Sequence, residues 1–208
     1  MSTFGPAVVA TAGSDDPNAP LVVLLHGRGS HEGEIVALAS HLPEGPAYAA
    51  VRAPIAEAGG FAWFVNRGIG RPVAASLRST MDWFRGWLAE VAAAGRPVLL
   101  VGFSGGAAFA GGLLLDDPSS WAGVAILYGT LPFEAGVPVT PGRLAAARVL
   151  VVQGDADTVI PRDLLDRTWS YLLEESGAEV VGRRDPGGHA ISGPVLAAVA
   201  AWICSVLG

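Results

Sequence analysis

Four runs constrain the fold more than any other feature of this chain: LVVLLHG (21–27), RPVLLVGF (96–103), WAGVAILYG (121–129) and ARVLVVQG (147–154). Each is short, almost continuously apolar, and carries a glycine at or near its carboxyl end. Such a segment is a strand covered from both sides. Helical spacing fills the stretches between. Leu77, Met81, Phe84, Leu88 and Val91 recur at three and four residues, with Gly95 as a stop. Pro161 suits a first helical turn; Leu164, Thr168, Tyr171 and Leu172 give one face, and Gly177 ends it. Leu196, Val199, Ala200, Ile203 and Leu207 mark a terminal helix, and shorter helices are expected over 33–41 and 104–115. AYAAVRAP (47–54) reads as a weaker strand and AEVVGRRD (178–185) as a polar edge strand. Residues 55–75 and 131–142 read as loops. The alternation predicts an α/β fold, a mostly parallel sheet with helices on both faces, in one domain spanning 1–208. Ligands of such sheets sit at the carboxyl ends of the strands.

Composition narrows the function. Apolar residues make up 51% and charged residues 15%, as in a folded chain with a large core. The formal net charge is −6, and all 13 basic side chains are arginine. An acidic chain without basic clusters argues against nucleic acid or an anionic membrane as partner. The absence of lysine excludes a Walker-type phosphate loop and Schiff-base chemistry. Cys204 is the single cysteine and is expected as a packed thiol in the terminal helix. No Cys/His spacing suggests a metal. MSTFGPAVVATAGSDDPNAP has neither a basic start nor a long apolar segment, and no run reaches the ~20 apolar residues of a spanning helix. A cytoplasmic protein without a membrane span is the expectation.

Gly102-Phe103-Ser104-Gly105-Gly106 fits G-x-S-x-G, with a strand directly before it and an apolar helix directly after. Such a turn strains the serine backbone, so its neighbours must lack side chains, and the hydroxyl projects above the sheet. Ser104 could instead be an ordinary helix N-cap. A dinucleotide loop is a poorer alternative, because serine stands where the second glycine of G-x-G-x-x-G belongs.

A serine hydroxyl needs a base, and the base needs a counter-charge. In a sheet of this type the order is Ser, then Asp or Glu, then His. His189, in DPGGHAISGP, is the only histidine after Ser104. Asp155 and Asp157 both lie beyond the strand in VLVVQGDADTVIP. They could equally form a turn or a weak cation site. Asp163 and Asp166 read as surface charges, and Asp185 is close to His189 in sequence. The developing oxyanion needs two backbone donors. Gly105 follows the nucleophile, and Arg28 sits in LLHGRGS after the first central strand. His26 is expected to be structural, with His31 and His41 exposed. Trp63, Phe64 and Leu131 are candidates for an acyl pocket; Arg67 and Arg71 could meet an acidic group but suit solvent better.

Together LLHGRGS, VGFSGGA, LYGTLP, GDADTVIP and GGHAIS resemble the α/β-hydrolase fold, and more narrowly the carboxylesterase/phospholipase group that includes the acyl-protein thioesterases. The resemblance implies Ser104 as nucleophile, His189 as base and Asp157, rather than Asp155, as the acid. It also implies little or no lid, and no cofactor or metal. Arg28 departs from the apolar residue that thioesterases often carry there, and 59–72 does not match them. The expected activity is serine carboxylesterase hydrolysis of small or short-acyl esters. An acyl thioesterase or lysophospholipase is the alternative within that chemistry, and a non-catalytic small-molecule-binding protein the alternative outside it. A homodimer is compatible with all three.

Overall fold

A computed structural model of the chain describes residues 4–57 and 59–208. A seven-stranded sheet holds the strands in the order β1-β3-β2-β6-β7-β8-β9. These are β1 (Val9–Gly13), β2 (Leu21–Leu25), β3 (Ala47–Val51), β6 (Val98–Phe103), β7 (Gly123–Leu127), β8 (Arg148–Gly154) and β9 (Glu179–Asp185). Only β1 runs antiparallel, against β3. A two-stranded hairpin, β4 (Ile55–Glu57) and β5 (Gly60–Ala62), stands apart from the sheet. The helices are α1 (Glu32–Ile35), α2 (Ala74–Val91), α3 (Gly105–Asp116), α4 (Arg162–Ser170) and α5 (Gly193–Leu207).

The apolar runs form the central strands because both of their faces are covered. Val23, Leu25, Leu100, Ile126 and Val151 point to one layer, with Leu77, Met81 and Phe84 of α2 and Phe109 and Leu113 of α3. Their neighbours Val22, Leu24, Leu99, Val101, Leu127 and Val152 point to the other, with Val195, Val199, Trp202 and Ile203 of α5. This is the expected mostly parallel α/β arrangement.

Several local expectations change. The helix over 33–41 is one α-turn followed by a 3₁₀ segment, Val36–His41. α4 continues as a π-helical turn, Tyr171–Glu175. The 55–75 region is a loop that begins with a hairpin. β1 lies in a stretch read only for targeting signals; its half-exposed residues carry little apolar signal. Cys204 is exposed, because α5 buries the 195, 199, 202, 203 stripe and residue 204 falls beside it. No helix among the described residues is long and apolar enough to cross a membrane.

Candidate active site

β6 ends at Phe103 and the chain turns straight into α3 at Gly105. Ser104 between them has φ 54° and ψ −113°, a left-handed torsion that costs a residue with a β-carbon ~1–3 kcal/mol. The surroundings enforce it. Ser104 N–H donates to the Leu127 carbonyl at 2.9 Å, and its own carbonyl accepts from Ala107 N–H at 3.0 Å. A β-carbon on Gly102 would lie 2.4 Å from the Gly106 carbonyl oxygen, and one on Gly106 would lie 2.1 Å from that of Leu25. The flanking glycines are therefore demanded by contact between β2, β6 and α3.

The turn lifts the serine hydroxyl toward the loop between β9 and α5. Ser104 Oγ lies 2.8 Å from His189 Nε2. His189 Nδ1 lies 2.8 Å from Asp157 Oδ2. The Asp157 side chain is fully buried just past β8, where its Oδ1 accepts from Val159 N–H at 2.8 Å and Ile160 N–H at 3.1 Å. Burial pushes its carboxyl up, but donation from His189 and from the Ile160 and Val159 amides outweighs this and holds it below the ordinary 3.8. An ionised carboxylate only accepts, so the proton of neutral His189 sits on Nδ1 and Nε2 faces the serine as acceptor. Asp155 is exposed, and the structure brings Asp157, not Asp155, to the imidazole.

The histidine loop has an anchor of its own. Tyr128 follows β7 with φ 49° and is fully buried. Its hydroxyl donates to Asp185 Oδ2 at 2.8 Å, and Ser192 Oγ donates to Asp185 Oδ1 at 3.1 Å. Burial and the Asp185 carboxylate push the Tyr128 phenol far up, so it stays a neutral donor. The Phe103 and Tyr128 rings contact the His189 ring at 5.2 and 6.3 Å between centroids. Tyr128 was missed from sequence; its signal is a bulky residue at a strand end directly before Gly129.

Two amides flank the serine. A β-carbon on Gly105 would lie 3.2 Å from Arg28 N, so the two backbones nearly touch. Gly105 opens α3, where N–H groups have no intrahelical acceptor. Among the described residues, Arg28 N–H likewise has no protein acceptor. His26, fully buried, braces this loop: Ala53 N–H donates to its Nε2 at 3.0 Å, so its Nδ1–H donates to the Gly27 carbonyl at 2.7 Å. Burial lowers its pKa and keeps it neutral.

A cavity of about 550 Å³ opens at Ser104 and His189. Phe64 and Leu131 line it, with Ile69, Ile160 and Ile191. Trp63 does not. It is 1% exposed, stacks on Phe109 at 4.5 Å, and donates Nε1–H to the His26 carbonyl at 2.9 Å. Phe64, in the bend that follows β5, packs in the same core and also reaches the cavity wall. Arg67 and Arg71 are not among the lining residues.

The sequence profile of the phospholipase/carboxylesterase family matches residues 6–207. The chain belongs to that family. This family member is a hydrolase of the esterase type. The Bacillus cereus carboxylesterase superposes with a TM-score of 0.83 at 20% identity, covering 96% of this chain and 94% of that one. A Mesorhizobium loti carboxylesterase gives a TM-score of 0.78 at 28% identity over 89% of this chain and 88% of that one. Arabidopsis thaliana SOBER1 gives 0.73 at 20% over 91% of this chain and 99% of that one. At 20% identity the likeness is one of fold. No protein of curated function matches the hydrolase by sequence.

One consequence for this hydrolase concerns pH. The Asp157 carboxyl is depressed in the folded state, so its contribution to stability is present above the unfolded-state pKa and is lost as pH falls through the folded one. The Tm advantage of wild type over Asp157→Asn is expected to be constant near neutrality and to shrink below about pH 4. Thermal unfolding from pH 3 to 7 measures it; a gap that widens on acidification contradicts the assigned shift.

Proposed function

We propose that the protein is a serine carboxylesterase that hydrolyses small, uncharged or short-acyl esters through an acyl-enzyme. The observation that carries this reading is Ser104 Oγ at 2.8 Å from His189 Nε2, with Asp157 behind the imidazole. His189 takes the hydroxyl proton as Ser104 attacks the ester carbonyl carbon. The Arg28 and Gly105 amides receive the oxyanion, and Asp157 stabilises the imidazolium. The tetrahedral intermediate collapses, the C–O bond to the alcohol breaks, and His189 returns the proton to that alcohol. Water then repeats the sequence on the acyl-serine and frees the acid.

The cavity supports a neutral substrate. Among the described residues Arg28 is the one arginine lining it, and its guanidinium is already held by Glu57. A phosphate group would find no uncommitted arginine there, which disfavours lysophospholipids. The Mesorhizobium loti relative, named a carboxylesterase, accords with the reading.

The test is a p-nitrophenyl ester series of graded chain length beside matched acyl thioesters and a lysophospholipid. kcat/KM is expected to be highest for short-chain oxygen esters. A preference for long-chain thioesters, or for the lysophospholipid, would overturn the substrate assignment.

A further inference from the structure

The loop carrying the Arg28 amide borrows its shape from a neighbour. Gly27 and Gly29 flank Arg28, and Gly29 has φ 81°, so Arg28 holds the only side chain of the tripeptide. The β4–β5 hairpin lies along one edge of this loop. Gly29 N–H donates to the Phe61 carbonyl at 2.9 Å, and Phe61 N–H donates to the Ser30 carbonyl at 3.0 Å. The fit is close enough that a β-carbon on Gly60 would lie 1.9 Å from the Gly29 carbonyl oxygen. Across the same seam Arg28 Nε donates to Glu57 Oε1 at 2.9 Å, and a terminal guanidinium nitrogen reaches the same oxygen. Phe61 is held from outside by Arg52, 4.7 Å from its ring centroid, and Glu32 of α1 accepts from Arg52 Nε at 2.7 Å.

We propose that Glu57 is a positioning residue for the oxyanion hole: by clamping the Arg28 side chain it fixes the direction of the Arg28 N–H. The proposal rests on the serine mechanism above. The backbone bridge pins residues 29 and 30, and the His26 network pins 26 and 27. The peptide between them keeps the torsions beside two glycines. A tether on the Arg28 side chain restricts that freedom. The pair is 41% and 31% exposed, so its contribution to stability is small. Its effect is geometric, because a donor aimed at the transition-state oxygen loses value when displaced.

The experiment compares wild type with Glu57→Gln. On p-nitrophenyl acetate, kcat is expected to fall about five- to twentyfold, a fraction of the ~10²–10³ lost with a whole oxyanion donor. KM and Tm are expected to hold. A trifluoromethyl ketone, which places an oxyanion in the hole, is expected to lose affinity by the same factor as kcat/KM, while the unfluorinated methyl ketone, which stays a neutral carbonyl, binds unchanged. An unaltered kcat overturns the proposal, and so does a loss that tracks a lowered Tm or weakens the methyl ketone equally. A wild type that neither hydrolyses esters nor takes up a fluorophosphonate overturns the serine mechanism and this proposal with it. An active wild type indifferent to Glu57 overturns this proposal alone.

Discussion

Replacing Ser104 with alanine is expected to reduce kcat on p-nitrophenyl acetate by a factor on the order of 10⁶. The size follows from the kind of step removed. Without Oγ no acyl-enzyme forms, and water must attack the bound ester with only the two amides and proximity to help. Labelling by a fluorophosphonate is expected to vanish, because that reagent needs the same oxygen. The fold is expected to persist, since alanine keeps the backbone hydrogen bonds with Leu127 and Ala107 that hold the turn, and only the bond to His189 is lost. Intact-mass spectrometry after labelling gives the answer directly. Equal labelling of wild type and Ser104→Ala would refute the mechanism, and an unlabelled wild type would favour a binding protein built on the same scaffold.

Asp157→Asn is expected to lower kcat by about 10⁴, and the hydrogen bonds say why. Oδ1 is fixed as an acceptor by Val159 and Ile160 N–H. An asparagine must keep its oxygen there, which turns its NH₂ toward His189 Nδ1. The imidazole then accepts at Nδ1 and carries its proton on Nε2, the nitrogen 2.8 Å from Ser104 Oγ. A histidine in that tautomer donates to the serine and cannot take its proton. Steady-state kinetics beside the NMR signature of the His189 ring protons would test both halves. A variant with near-normal kcat, or one that keeps the Nδ1–H tautomer, would contradict the assignment.

What could be read from the residues follows burial. β2, β6, β7 and β8 are covered on both faces, so their apolar runs are unmistakable. β1 is half exposed and β4 and β5 are three residues each, too short for a period to show. The serine turn was legible because crowding demands glycine at two named places. Spacing and residue type left Asp155 and Asp157 open, and only the family resemblance chose between them; in space His189 approaches Asp157. Trp63 and Phe64 looked alike as aromatics, and which of them meets the cavity depends on the direction in which the chain leaves β5. Glu57 was invisible, because one carboxylate in a loop carries no signal until its arginine is found 29 positions away.

The serine and its base are separated by 85 positions along the chain, and the base lies beyond the last strand. Under the proposed mechanism, a nascent polypeptide would therefore expose the Ser104 turn well before the residue that activates it has been synthesised. That reactivity would arise only once His189 stands beside the hydroxyl. Until then the alcohol would be chemically ordinary.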